Sequence, residues 1–194
     1  MRARLVHQVL VERHSFTRGM DPGEAMDVGL RVKIKAWLDD AEIKHYTIND
    51  DLTVDVDGNV DLRNRMETEF PSHVRFGMVT EGFYCAGNSL VSLVGCPKIV
   101  GGNFNCDHNL LVSLEESPKT VVGYFSCSHN RLKSLGGSPK MVGGNFYCDH
   151  NRLLTSLEGC PEKVGRHFYC SGNTKHFAQE DVEEFCDVAG EIYV

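Results

Sequence analysis

No uninterrupted apolar run in this chain approaches the roughly 20 residues that a membrane-spanning helix needs. The N-terminus also lacks the apolar stretch of a secretory signal, so a cytoplasmic protein with no membrane contact is expected. Basic charge is scarce: 20 Lys and Arg stand against 27 Asp and Glu, a net charge of −7. A phosphate-backbone binder needs a concentrated basic face, and no nucleic-acid partner is expected here. Lys98, Lys119 and Lys140 do recur in step, but one lysine per repeat reads as a solubility feature. Eight cysteines are present without a single Cys-x-x-Cys pair, which removes the commonest zinc and redox signatures. A Gly-x-Ser-x-Gly elbow, a phosphate loop, a dinucleotide fingerprint and His-Glu-x-x-His are equally missing. The expectation is a protein that is not an enzyme and holds no cofactor.

What the chain has is repetition. Phe-x-Cys-x-x-Asn occurs at Phe83-x-Cys85-x-x-Asn88, Phe104-x-Cys106-x-x-Asn109, Phe125-x-Cys127-x-x-Asn130, Phe146-x-Cys148-x-x-Asn151 and Phe168-x-Cys170-x-x-Asn173. Successive Phe residues lie 21, 21, 21 and 22 apart, the last step lengthened around Leu153 and Leu154. A fixed period in this range is the signature of a solenoid. Other columns keep the same step: Leu90, Leu111, Leu132 and Leu153; Leu93, Leu114, Leu135 and Leu157; Pro97, Pro118, Pro139 and Pro161; Val100, Val121, Val142 and Val164. Each coil leaves an apolar face that only its neighbour covers, so stability comes from stacking.

Alternate side chains of a strand share a face. The Phe and Cys of each phrase therefore point into the core, and the residue between them points out. Buried free thiols behave as small hydrophobes, so Cys85, Cys106, Cys127, Cys148 and Cys170 are expected to stay reduced. Cys96, Cys160 and Cys186 lie off that column and are the more reactive candidates. The recurring Asn reads as structural, satisfying backbone groups at each bend. Proline after the second Leu suits an extended return stroke with little helix.

The segment Phe-x-Cys-x-x-Asn-x-Leu resembles the Leu-x-Leu-x-x-Asn-x-Leu core of leucine-rich repeats, with Phe and Cys in place of two leucines. The linking half, as in Leu132-x-Ser134-Leu135-x-x-x-Pro139, is most similar to the very short repeats of bacterial type III secreted effectors. One departure is that the apolar residue before the strand stands one position early, at Val100, Val121, Val142 and Val164, with Gly101, Val122, Gly143 and Gly165 in the usual leucine place. The fold expected is α+β: a single-chain parallel β-solenoid of leucine-rich-repeat type, about five to six coils, with helical caps. Four segments are expected: 1–20, an N-terminal docking segment; 21–78, a helix and β-hairpin cap with a degenerate first coil; 79–173, the solenoid; 174–194, a C-terminal cap and tail.

Within the first segments, Leu5, Val6, Val9 and Leu10 read as a short amphipathic helix. Asp21-Pro22-Gly23-Glu24 reads as a helix start, with Asp21 as N-cap. Met26, Leu30, Ile34, Trp37, Leu38 and Ala41 follow on one face of a helix to about Asp40, suited to closing the open end of the solenoid. Asp57-Gly58-Asn59 is expected to turn a hairpin that pairs Val56 with Val60 and Val54 with Leu62. The same acidic phrase has the look of a calcium loop, but Thr53 and Asn64 stand where the first Asp and last Glu would be needed. At the other end, residues 179–188 have the pattern of a capping helix with Val182, Phe185 and Cys186 on one side, and 191–194 that of a tail or edge strand.

A second resemblance covers most of the chain. Phe16-Thr-Arg18-Gly19-x-Asp21-Pro22-x-x-Ala25-Met26, then Tyr46-Thr-Ile48-Asn49-Asp50-Asp51-Leu52 and the Phe-x-Cys repeats, is similar to uncharacterised proteins of tailed bacteriophages. It implies a protein partner, either a host factor or another phage protein. Two destinations follow: the host cytoplasm, or the virion, where the solenoid would be a rigid structural spacer docked through its N-terminal segment.

The candidate partner surface is the outward strand column, Tyr84, Asn105, Ser126, Tyr147 and Tyr169, flanked by Asn103, Tyr124, Asn145 and His167. Tyrosine offers large contact area at low entropic cost, and residues that vary on a rigid frame give specificity. A second polar column, His108, His129 and His150 with Asp107 and Asp149, reads as turn residues beside the Asn ladder. A metal site, and with it a metal-dependent enzyme, is the competing reading of that column.

Overall fold

Every repeat contributes a strand to each of two parallel sheets, as the computed structural model of residues 22–194 shows. The first sheet runs β1 (Tyr46–Ile48), β2 (Val54–Val56), β4 (Phe76–Val79), β6 (Ile99–Val100), β8 (Thr120–Val121), β10 (Met141–Val142), β12 (Lys163–Val164) and β14 (Asp187–Val188). The second runs β3 (Val60–Asp61), β5 (Phe83–Tyr84), β7 (Phe104–Asn105), β9 (Phe125–Ser126), β11 (Phe146–Tyr147), β13 (Phe168–Tyr169) and β15 (Ile192–Tyr193). Among the described residues only β1 pairs antiparallel, onto β2. The molecule is a parallel β-solenoid of about seven turns.

In-register pairing puts like on like. Phe104 faces Phe83 on one side and Phe125 on the other, and Val121 likewise lies between Val100 and Val142. The Phe rings stack at 5.1–5.7 Å along the axis. All five of those Phe, the Cys of each phrase and the Val column are buried, as are the Leu columns apart from Leu153. At the corner between the two sheets glycine lets coils touch backbone to backbone, although Val122 takes the same position in one coil. A Cβ on Gly101 would lie 2.2 Å from the Thr80 carbonyl oxygen, and one on Gly143 the same distance from that of Val122.

The Asn column stitches the coils together. The Asn109 amide donates to the carbonyls of Cys85 and Cys106, both at 3.0 Å, while its Oδ1 accepts from the Leu90 N–H at 2.9 Å. Asn130 repeats this with Cys106, Cys127 and Leu111, and Asn151 with Cys127, Cys148 and Leu132. One side chain thus satisfies three buried backbone groups in two successive coils.

Helix α1 (Pro22–Asp40) closes the N-terminal end. Its Ile34 and Leu38 are buried, and Trp37 sets its ring 6.3 Å from Phe76, which in turn meets Phe83 edge-on at 5.3 Å. Arg31 reaches past its Asp27 partner to the carbonyls of Ile48 and Asn49, fastening the helix to β1. Met26 is exposed, so the apolar face begins a turn later than expected. The expected docking helix and the Asp21 cap lie outside the described residues.

Four expectations are corrected. There is no hairpin at Asp57-Gly58-Asn59: this is a solenoid corner, equivalent to Gly101-Gly102-Asn103, so Val60 pairs with Phe83 and Val54 with Phe76 instead of folding back. The coil count exceeds five to six, because aliphatic Val60 and Ile192 occupy the Phe column at the two ends. In the 22-residue repeat the buried leucine is Leu154, not Leu153, which stands 48% exposed; the extra residue is taken up by a turn in which the Leu154 N–H bonds the Asn151 carbonyl at 2.8 Å. Finally α2 (Gln179–Glu183) stops short of residue 188, because the Asp187 N–H joins the Glu162 carbonyl and the chain returns to the first sheet, leaving Phe185 exposed.

Candidate functional site

The outward column of the second sheet divides into two halves. In the N-terminal half, Arg63 lies over the Tyr84 ring at 5.4 Å and bonds Asp61 at 2.6 Å. Two coils without an outward aromatic follow. Asn105 accepts the Asp107 N–H at 2.9 Å, and Ser126 is only 4% exposed, its hydroxyl donating to Asp107 at 2.6 Å. Ser126 is therefore withdrawn from the surface that the alternation assigned to it, because a short side chain beside a carboxylate acceptor folds down onto it. Tyr84 is separated from Tyr147 by three strand spacings, roughly 14 Å.

The C-terminal half is an aromatic platform. Tyr147 and Tyr169 stack at 4.6 Å, Tyr169 and Tyr193 at 4.5 Å with rings 3° from parallel. Tyr124 meets Tyr147 edge-on at 6.0 Å, and His167 tilts against both Tyr169 and Tyr193. Tyr84, Tyr124, Tyr147 and Tyr169 are half-buried by their neighbours rather than fully exposed. Burial first, then nearby charge, raises the Tyr124 hydroxyl above its ordinary pKa, and the hydrogen bond to Glu191 pushes Tyr193 up to about 12. Both shifts keep the Tyr124 and Tyr193 hydroxyls protonated at neutral pH.

The flanking amides hold the face rigid. Asn103 accepts the Tyr124 N–H at 3.0 Å and Asn145 accepts the His167 N–H at 3.1 Å, while the Asn145 amide donates to the Tyr147 hydroxyl at 2.6 Å. His167 Nδ1 accepts the Glu191 N–H at 3.0 Å. Tyr193 belongs to this platform and was missed in the sequence, although Glu191-Ile192-Tyr193 repeats the pattern of His167-Phe168-Tyr169. Also missed was the outer face of the first sheet, where Met78, Ile99 and Met141 stand exposed.

The histidine column forms a separate ladder. His108, His129 and His150 each occupy the left-handed region, at φ 53°, 55° and 56°, in the turn position held by Gly87 and Gly172 in the flanking coils. Their rings stack at 4.1 and 4.5 Å, 19° and 7° from parallel. Ring lone pairs lie in the ring planes, so stacked imidazoles aim their nitrogens side by side and do not converge on one point. Among the described residues no group of three or more His, Cys, Asp or Glu is placed to hold a metal ion. Asp107 accepts the Ser128 N–H at 2.8 Å, and Asp149 accepts both the Ser171 N–H and hydroxyl at 3.0 Å. Alternation of Asp with Ser along this column keeps the carboxylates two coils apart, which avoids like-charge contact. Burial raises the Asp107 pKa from its ordinary value, and burial with the neighbouring His108 and His150 holds His129 below the usual histidine value. In the acidic phrase near the N-terminus, Asp55 accepts the Met78 N–H at 2.7 Å and Asp61 pairs with Arg63, so these carboxylates are spread over two sheets.

The fold places this chain among parallel β-solenoid repeat proteins. Comparison with family models, curated proteins and solved structures gave no match. Among the described residues no helix is long and apolar enough to cross a membrane.

Proposed function

We propose that the chain is a non-enzymatic interaction module that holds a protein partner against the outward face of its second sheet. The observation carrying this reading is the half-exposed ladder of Tyr147, Tyr169 and Tyr193, braced by Asn145 and His167 on a frame pinned by inter-coil hydrogen bonds. Rigid aromatics lose little entropy on binding and supply most interface energy. The finer reading is a phage-encoded relative of the shortest leucine-rich repeats, acting in the host cytoplasm on a host factor or another phage protein. Its support is the Phe-x-Cys-x-x-Asn-x-Leu phrase together with the N-terminal resemblance.

The test is a pull-down of the tagged full chain from host lysate, followed by affinity measurement with the recovered partner. Tyr147→Ala with Tyr169→Ala should weaken binding by about 2–4 kcal/mol. Lost ring stacking should lower stability by only about 0.5–1.5 kcal/mol per pair, which a melting curve reports separately. Should binding survive both changes and instead fail on deletion of residues 1–17, the interaction-face reading is wrong and the virion spacer reading takes its place.

A further inference from the structure

The tyrosine ladder turns its ring edges outward, not its ring faces. Tyr169 is covered on both sides, by Tyr147 at 4.6 Å and by Tyr193 at 4.5 Å, with rings 14° and 3° from parallel. An aromatic ring is negative on its faces and positive at its edge, so the outward surface is a positive rim with hydroxyl donors. Such a surface suits hydrogen-bond acceptors better than a stacking ligand. The chain uses it in this way once: the Tyr193 hydroxyl donates to the Glu191 carboxylate.

Beside the ladder runs a furrow. The residue before Asn103, Tyr124 and Asn145 is Gly102, Gly123 and Gly144 in three successive coils, and before His167 it is Arg166. Glycine is held there by the coil contacts, since a Cβ on Gly144 would stand 2.8 Å from the Gly123 carbonyl carbon, and one on Gly123 only 2.2 Å from Asn103 Oδ1. The missing side chains leave an open cavity of about 300 Å³, walled by Tyr124 and Asn145 and lined at one end by Arg166. Its lining holds no carboxylate, and among the described residues nothing pairs with the Arg166 guanidinium. Arg63, on the same sheet face, is already taken by Asp61 at 2.6 Å.

We propose that this furrow is an acidic-peptide site, in which an extended segment of the protein partner lays its backbone over the glycine floor and sets an Asp or Glu carboxylate against Arg166 and the Tyr124 hydroxyl. It rests on the interaction-face reading and supplies the chemistry of the partner. A guanidinium offers a planar fork that matches both oxygens of a carboxylate, and glycine lets a second backbone come close. The net charge of −7 works against acidic segments over the rest of the surface, which confines them to the face where the donors stand.

The experiment titrates the isotope-labelled full chain with acetyl-Gly-Glu-Gly-Glu-Gly-amide and with its Gln and Lys counterparts, following backbone amide shifts by NMR. The glutamyl peptide should move the amides of Gly123, Gly144 and Arg166 and bind about tenfold more tightly than the glutaminyl peptide, because hydrogen bonds to a charged group are the stronger ones. The lysyl peptide should leave these amides in place. Arg166→Gln should abolish the preference for Glu over Gln, and Arg166→Lys, which keeps the charge and loses the fork, should retain part of it. Both variants should melt with the wild type, since the exposed guanidinium bonds nothing in the fold. Equal affinity for the Glu and Gln peptides, a preference that survives Arg166→Gln, shifts confined to the Lys98, Lys119 and Lys140 column, or no shift with any peptide would each overturn the proposal. The face itself is judged apart from this: a recovered partner that needs Tyr147 and Tyr169 but is indifferent to Arg166→Gln sinks the acidic assignment alone.

Discussion

Phe104 and Phe125, 21 residues apart in sequence, lie ring over ring at 5.2 Å and 13° from parallel. This offset stacking between coils is the repeating unit of the core. Each ring fills the space between two neighbours that are themselves buried, so no side chain is free to collapse inward when one is removed. Phe125→Ala, in the middle of the stack, should therefore cost roughly 3–5 kcal/mol. Denaturant unfolding checks this, and an unchanged midpoint would contradict the stacked-coil core.

The Asn column should be sensitive as well. Asn130→Ala leaves the buried Leu111 N–H without its acceptor and takes one of two Asn donors from each of the Cys106 and Cys127 carbonyls. A buried group left unpaired costs about 1–3 kcal/mol, so the loss should exceed that of an ordinary surface change several-fold. Asn130→Asp retains the acceptor for Leu111 but removes the donor, and should be nearly as damaging. Equilibrium unfolding of both variants provides the comparison.

Cys85, Cys106, Cys127 and Cys148 should resist alkylation until the solenoid unfolds. Burial raises the thiols of Cys106, Cys127 and Cys148 well above the ordinary cysteine value, and a thiol without thiolate character is a poor nucleophile. Mass spectrometry after brief iodoacetamide treatment, with and without denaturant, should show these four labelled only in the denatured sample.

The histidine ladder predicts weakening in mild acid. The folded state lowers the His129 pKa, chiefly by burial, so the unfolded chain takes up the proton more readily. Stability should thus fall as pH drops below about 6.5, the ordinary histidine value. Raised Asp107 acts in the opposite sense, but in the lower window where carboxylates titrate. His129→Asn keeps a side chain that tolerates the left-handed turn and should flatten the dependence of melting temperature between pH 7 and 5.5. An unaltered slope would show that the stack carries no proton linkage.

The residues of the core were readable because packing leaves them no freedom. A Phe or Cys inside one coil meets its own kind from the next, so the columns repeat and announce their burial. The cap helix over Pro22–Asp40 was readable for a related reason, since an amphipathic period is a local property. The repeat strands of the first sheet were not readable. Strands of two residues such as Ile99–Val100 are too short to carry a period, and only the in-register contact with Thr120–Val121 makes them strands. Asp57-Gly58-Asn59 has turn chemistry that serves a hairpin or a solenoid corner equally well, and the choice was made by Val60 finding Phe83. Pairing across coils likewise decided that Ser126 withdraws onto Asp107 and that Tyr193 extends the tyrosine ladder. Sequence alone determined which face of each strand is apolar; which strand lies beside it is a question of contacts distant along the chain, and those belong to the tertiary structure.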